Sequence, residues 1–207
     1  RRAHREPLET YRTNVLGTIA VLDALRLAPI ARAAVLMTTD KVYRNREWAW
    51  PYREDDVLGG HEPYGLSKAM AELAIAQYRE TYSAFAEGGS VRLVSVRAGN
   101  VIGGGDWSED RLVPDAVRAW QTGRSLEIRS PGATRPWQHV MDVVDALTLL
   151  AERALGPGRP RMRAAYNVGP DSEAVVPVAR LCELLSKEWG AGADIRMDPV
   201  CAEARES

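Results

Sequence analysis

Tyr64 and Lys68 stand four residues apart in Tyr64-Gly65-Leu66-Ser67-Lys68. In a helix that spacing puts both side chains on one face. A phenol with a pKa near 10 is a poor base at neutral pH, but an ammonium beside it favours the phenolate. Such a pair can take the proton of an alcohol while hydride leaves the same carbon. Upstream, Thr38-Thr39-Asp40-Lys41-Val42-Tyr43 strings together two alcohols, a carboxyl and an amine. An alcohol donor, an acid and an amine thus stand in sequence there.

These residues need elements to hold them. Apolar Val15, Leu16, Ile19, Leu22 and Leu25 recur at helical spacing, predicting a helix over 13–27 that Pro29 closes. Ala33-Ala34-Val35-Leu36-Met37 is a continuous apolar run, the pattern of a buried parallel strand, and it delivers Thr38–Lys41 at its carboxyl end. A loop from Trp48 to Pro63 follows, broken by Gly59-Gly60, and then a helix over 64–82. Val91 to Val96 reads as a second buried strand running into a glycine-rich loop, Gly99 to Gly105. Beyond it we expect helices over 113–121, 140–154 and 178–189, and strands over 126–129, 166–168 and 194–197. Strands alternating with helices indicate an α/β fold with a largely parallel sheet. Ligands bind such sheets at the carboxyl ends of the strands.

Composition narrows the partners. Twenty-seven basic against 28 acidic residues leave a net charge of −1, which argues against holding nucleic acid by bulk charge. No apolar run is long enough to span a membrane. Cys182 and Cys201 are too few for a disulfide framework and suit a reducing compartment, so a cytoplasmic setting is expected. His4, His61 and His139 show no metal-ligand spacing, and no metal is expected. Of the basic residues 24 are arginine, and only Lys41, Lys68 and Lys187 are lysine. Lysine is the cation whose pKa can be moved, so Lys41 and Lys68 stand out as positions where arginine would not serve. With Arg1 first and the first methionine at Met37, we expect an internal piece of a longer protein.

In this order the motifs resemble the extended short-chain dehydrogenase/reductase family, and within it the nucleotide-sugar 4,6-dehydratases. The segment Asn14-Val15-Leu16-Gly17-Thr18 is similar to that family's N-V-x-G-T helix. An Asp40-Lys41 pair resembles the branch acting on CDP-glucose, where the dTDP-glucose branch has Asp-Glu. Trp50-Pro51-Tyr52-Arg53-Glu54, Gly103-Gly104-Gly105-Asp106-Trp107, Asp110-Arg111-Leu112-Val113-Pro114 and Arg135-Pro136-Trp137-Gln138-His139-Val140 agree with that branch.

The resemblance implies a doubly wound, Rossmann-like parallel sheet, here incomplete, with a smaller substrate-binding C-terminal part. The division expected is 1–107 for the C-terminal half of an NAD-binding Rossmann-like domain and 108–207 for a mainly nucleotide-sugar-binding part with some returning Rossmann elements. It implies NAD as cofactor, with Tyr64, Lys68 and Thr38 beside it, and Thr39, Asp40, Lys41, Tyr64 and Lys68 as catalytic residues. Thr39, Asn100, Arg111 and Arg135 are expected to hold the substrate, the nucleotide sugar CDP-glucose. Its 4-hydroxyl would be oxidised, water lost across C5–C6 and C6 reduced. Asp40 would protonate the departing 6-hydroxyl, and Lys41 would act as a neutral base or as a charged stabiliser. Homodimers through 13–27 and 64–82 are also implied. The family's G-x-x-G-x-x-G turn for the dinucleotide pyrophosphate is absent, and Gly103-Gly104-Gly105 follows too many elements to replace it. Other readings are a 4-epimerase or reductase, a dTDP- or GDP-sugar dehydratase, and a catalytically silent dimerising fragment.

Overall fold

The computed structural model describes residues 2–197, apart from 49, 159 and 172–174; Cys201 lies outside them. In chain order the elements are α1 (Arg2–Arg5), α2 (Pro7–Tyr11), a wide π turn (Arg12–Leu16), α3 (Gly17–Leu27), β1 (Ala33–Met37) and a 3-10 turn (Asp40–Val42). Then come α4 (Pro63–Thr81), β2 (Arg92–Ala98), β3 (Asn100–Ile102), α5 (Leu112–Gln121), β4 (Leu126–Ile128) and β5 (Thr134–His139). The chain continues through α6 (Val140–Leu155), β6 (Ala165–Val168), β7 (Val175–Pro177), α7 (Val178–Trp189) and β8 (Ile195–Met197).

It divides into two compact units, residues 1–99 with 142–168 and residues 100–141 with 169–207. The changeover at 99/100 comes before the expected 107/108, and α6 and β6 return to the first unit.

The first unit is built on a three-stranded parallel sheet in the order β1-β2-β6. Its middle strand, β2, is buried at every residue from Leu93 to Ala98, as a strand covered on both faces is, with Ser95 and Arg97 the polar residues in it. Ala34 pairs with Leu93 and Leu36 with Ser95, so these residues share one face of the sheet. On that face Leu22 of α3 and Ile75 of α4, both sealed from water, pack with Phe85, Val91 and Leu93. Burying such a side chain contributes roughly 1.5–3 kcal/mol.

The sheet of the second unit, β3-β5-β7, is mixed: β3 runs parallel to β5 and β7 antiparallel to it. β3 lies in the segment expected to be a glycine-rich loop, and no element was expected at β5 or β7. A separate parallel pair, β4-β8, contributes Leu126 and Ile128 to a core with Ala116 and Trp120 of α5 and Cys182 of α7. Helix α7 ends at Gly190, whose φ of +84° is a conformation that favours glycine.

Candidate active site

Helix α4 starts where its backbone donors are met. Pro63 occupies the first turn, where a missing N–H costs nothing. The Glu62 carboxylate accepts from Tyr64 N at 2.8 Å and Gly65 N at 2.5 Å. Tyr64 and Lys68 thus stand on the first two turns of a 19-residue helix, both half-buried. Ser67 between them is sealed; its hydroxyl donates to Tyr64 O at 2.8 Å and accepts from Asn14 Nδ2 at 2.9 Å. Asn14 lies in the π turn, where Gly17 N reaches back to Arg12 O. That turn ties the first helical segment to the start of α4.

Lys68 connects α4 to the sheet. Its Nζ donates to Met37 O, the last carbonyl of β1, at 3.4 Å. Burial lowers its pKa below the ordinary lysine value, and Glu72 one turn on opposes that shift. Past Met37 the chain stays extended, with Thr38 N on Val96 O at 2.7 Å, so consecutive side chains point to opposite sides. Thr38, expected beside the cofactor, turns its hydroxyl inward to Glu72 Oε1 at 2.5 Å, which leaves that hydroxyl committed within the fold.

Thr39 turns toward Asp40. Its hydroxyl donates to Asp40 Oδ1 at 3.1 Å and accepts from Lys41 N at 3.4 Å, capping the 3-10 turn. Lys41 Nζ lies 3.5 Å from Asp40 Oδ1, and both side chains reach solvent, 46% and 32% exposed. Val42 and Tyr43 anchor the turn by packing on Ala69 of α4. One backbone turn thus holds the alcohol, carboxyl and amine against the helix that carries Tyr64 and Lys68.

The remaining expected residues belong to the second unit. Asn100 opens β3 opposite Trp137, and Arg135 lies two residues before Trp137 on β5, so the three share one face of adjacent strands. Asn100 and Arg135 are half-buried. Arg111 is exposed, the residue just before α5. Asp106 is held below the usual carboxylate range, mainly by hydrogen bonds from Ser108, with smaller help from Arg111 and Arg118. Among the described residues no group of three His, Cys, Asp or Glu could hold a metal, and no helix is long and apolar enough to cross a membrane.

Sequence reasoning missed Glu72 and Arg97. Glu72 is 4% and Arg97 5% exposed, joined at 2.7 Å beneath the site. Two polar residues, Ser95 and Arg97, inside an otherwise apolar buried strand were the available signal, since a buried charge needs a partner.

The profile of the NAD dependent epimerase/dehydratase family matches residues 1–169. The CDP-glucose 4,6-dehydratase of Salmonella typhimurium strain LT2 is 40% identical over 200 residues, 96% of this chain and 55% of that protein. Among solved structures, MoeE5 in complex with UDP-glucose and NAD is 26% identical with a TM-score of 0.71, over 91% of this chain and 58% of that one. The UDP-glucose 4-epimerase of Thermotoga maritima, solved with UDP-glucose, has a TM-score of 0.78 at 21% identity over 95% and 60%, a likeness of fold. The chain spans about half the length of the curated relative it matches at 40% identity.

Proposed function

The chain belongs to the NAD-dependent epimerase/dehydratase family, and from that premise we propose that it is part of a nucleotide-sugar 4,6-dehydratase acting on CDP-glucose. The observation that carries the reading is the Thr39-Asp40-Lys41 turn, held against the helix of Tyr64 and Lys68. A 4-epimerase leaves the 6-hydroxyl of its sugar in place and needs no acid after the threonine to expel it. The relative at 40% identity, named a CDP-glucose 4,6-dehydratase, supports the choice of nucleotide.

The residues present fit the nicotinamide end of NAD. Lys68 is fixed by the last carbonyl of β1, at the strand end where open parallel sheets take their ligands. Tyr64 and Lys68 would hold the nicotinamide ribose. When bound, NAD supplies the hydride acceptor for C4 and the donor for C6.

The chain's own groups do the proton work. Tyr64 as phenolate takes the proton of the 4-hydroxyl, with the Lys68 ammonium favouring that phenolate. The Thr39 hydroxyl hydrogen-bonds the 4-oxygen. The resulting ketone acidifies the proton at C5. Asp40 and Lys41, as an ion pair 3.5 Å apart, are one proton transfer from a carboxylic acid beside an amine. In that form the Lys41 amine takes the C5 proton, the Asp40 carboxyl protonates the departing 6-oxygen, and the ion pair is restored as water leaves.

In the second unit Asn100 and Arg135 would take the nucleotide diphosphate, Arg135 through its forked donors, with exposed Arg111 at its margin. Apolar side chains left open along α4 support a homodimer through the helices of the first unit. A free, buried Cys182 accords with a cytoplasmic setting.

The test is the full-length protein with NAD and CDP-, dTDP-, GDP- and UDP-glucose, followed by mass spectrometry. Loss of water from CDP-glucose alone is expected. A C4 epimer of unchanged mass would overturn dehydration, and loss of water from another nucleotide sugar would overturn the choice of base.

A further inference from the structure

Glu72 follows Lys68 by one helical turn on α4 and is almost sealed from water. A buried carboxylate is costly unless its lone pairs are met. Thr38 Oγ1 donates to Oε1 at 2.5 Å, while Ser95 Oγ at 2.9 Å and Arg97 Nη2 at 2.7 Å donate to Oε2. Arg97 is buried in turn, its Nη1 donating to Tyr43 OH at 2.8 Å and Glu54 O at 2.9 Å. Stability alone does not call for this arrangement, because packed apolar side chains commonly replace a buried ion pair at no loss. The placement supplies the reason. Thr38 directly precedes Thr39, Asp40 and Lys41, and the spacing of four puts Glu72 on the helix face of Lys68. One buried carboxylate therefore holds both halves of the proposed site.

We propose that Glu72 is a positioning residue, pinning the end of β1 to α4 through Thr38 and standing as the fixed counter-charge of the Lys68 ammonium. The inference rests on the functional reading above and adds a residue to it. The groups that face Lys68 are few. Tyr64 and Glu72 flank it on α4, the Met37 carbonyl meets it from β1, and Arg97 of β2 lies behind Glu72. Asp40 and Lys41 come from the turn that packs on α4. Burial works against the ammonium and Glu72 is the charge that works for it.

In the full-length protein 13Cε-lysine labelling follows Lys68, whose signal is assigned as the one that disappears in Lys68→Arg. In Glu72→Gln the titration midpoint of Lys68 should fall, because the opposite charge that favours its ammonium is lost. Thr38→Val, which keeps the charge, should leave it unmoved. An unmoved Lys68 in folded Glu72→Gln overturns the proposal. If Glu72→Gln does not fold, Glu72→Leu with Arg97→Met, which leaves no buried charge unpaired, should lower the Lys68 midpoint in the same direction, and no change overturns the proposal. In the full-length enzyme Glu72→Gln should lower kcat about 10-fold or more with KM for the sugar little changed, and shift the basic limb of the kcat profile to lower pH. Glu72→Asp should restore that limb. Because the Lys68 midpoint is read without substrate, a wild-type enzyme that dehydrates nothing refutes the functional reading while the lysine titration still decides this one.

Discussion

The carbonyl oxygen of Lys41 occupies the space beside Gly65 that a side chain would need: a β-carbon on Gly65 would meet it at 2.8 Å. Gly60 presses on the same place from outside, where its own β-carbon would run into the backbone of Gly65. The missing side chains let the acid-amine turn approach the residue that follows Tyr64. Gly65→Ala should therefore cost about 1–3 kcal/mol of stability, the usual range for overpacking. It should lower dehydration more than it lowers melting, because the turn that yields carries Asp40 and Lys41. Chemical denaturation and water loss from the sugar, measured on the same preparation, compare the two.

Asp40→Asn keeps the hydrogen-bond acceptor for Thr39 and removes the acid. Turnover to the 6-deoxy product should drop about 100-fold or more, the contribution of a placed general acid. Oxidation at C4 should persist, since Tyr64 and Lys68 are untouched. Mass spectrometry on a 4-deuterated substrate separates the steps. A variant that still loses water at the wild-type rate removes Asp40 from the mechanism.

Arg97 and Glu72 form the buried pair of the first unit, and Arg97 carries Tyr43 as well. Arg97→Met leaves a carboxylate in the core with only the two hydroxyls of Thr38 and Ser95. Breaking one side of a buried pair commonly costs about 3–5 kcal/mol. A urea midpoint close to that of wild type would show that water reaches Glu72.

How much of this could be read in advance depended on length and on burial. Helices α4 and α7 were legible because their apolar faces repeat over several turns. Strand β2 was legible because both its faces are buried, which leaves a mostly apolar run interrupted by Ser95 and Arg97. The strands β3, β5 and β7 were not: β3 directly follows Gly99 in what reads as a glycine loop. Arg135 and Pro136 disguise β5, and β7 is three residues ending in proline. Partner strands hold those segments, and no local periodicity records partner strands. Within the candidate site, Tyr64 and Lys68 announced themselves by helical spacing. The division of labour between Thr38 and Thr39 did not, because it follows from strand alternation carried past Met37. Glu72 was hidden for a related reason: its donors come from residues far along the chain, Thr38 just past β1 and Ser95 and Arg97 on β2.

Leu66, Met70 and Leu73 lie on one stripe of α4 and are 39%, 40% and 58% exposed. Val21 on α3, 47% exposed, and Leu16, 59% exposed, add to the apolar surface of the same unit. If these helices meet their copies in a dimer, Met70→Glu with Leu73→Glu should give a monomer in sedimentation experiments. The fold should survive, since neither side chain belongs to the buried core. A double variant that still sediments as the wild-type dimer places the interface elsewhere.

Lys68 gives the fold a pH dependence of definite sign. In the unfolded chain it titrates near its ordinary value of 10.5, and in the fold burial brings it lower, with Glu72 offsetting part of the effect. Between those two values the unfolded chain holds a proton that the folded chain has released, so stability rises with pH across that window. Below it both states are protonated and the cost of burying the ammonium is fully present. Lys68→Met removes that cost and fills the same space with an apolar stem. The variant should therefore have a higher urea midpoint than wild type at pH 7, and the difference should shrink as pH climbs toward 10.5. The same substitution should abolish turnover by depriving Tyr64 of its cation. A midpoint lower than wild type at pH 7 would mean that the attraction of Glu72 outweighs burial, and the difference would then grow smaller as the ammonium is titrated away.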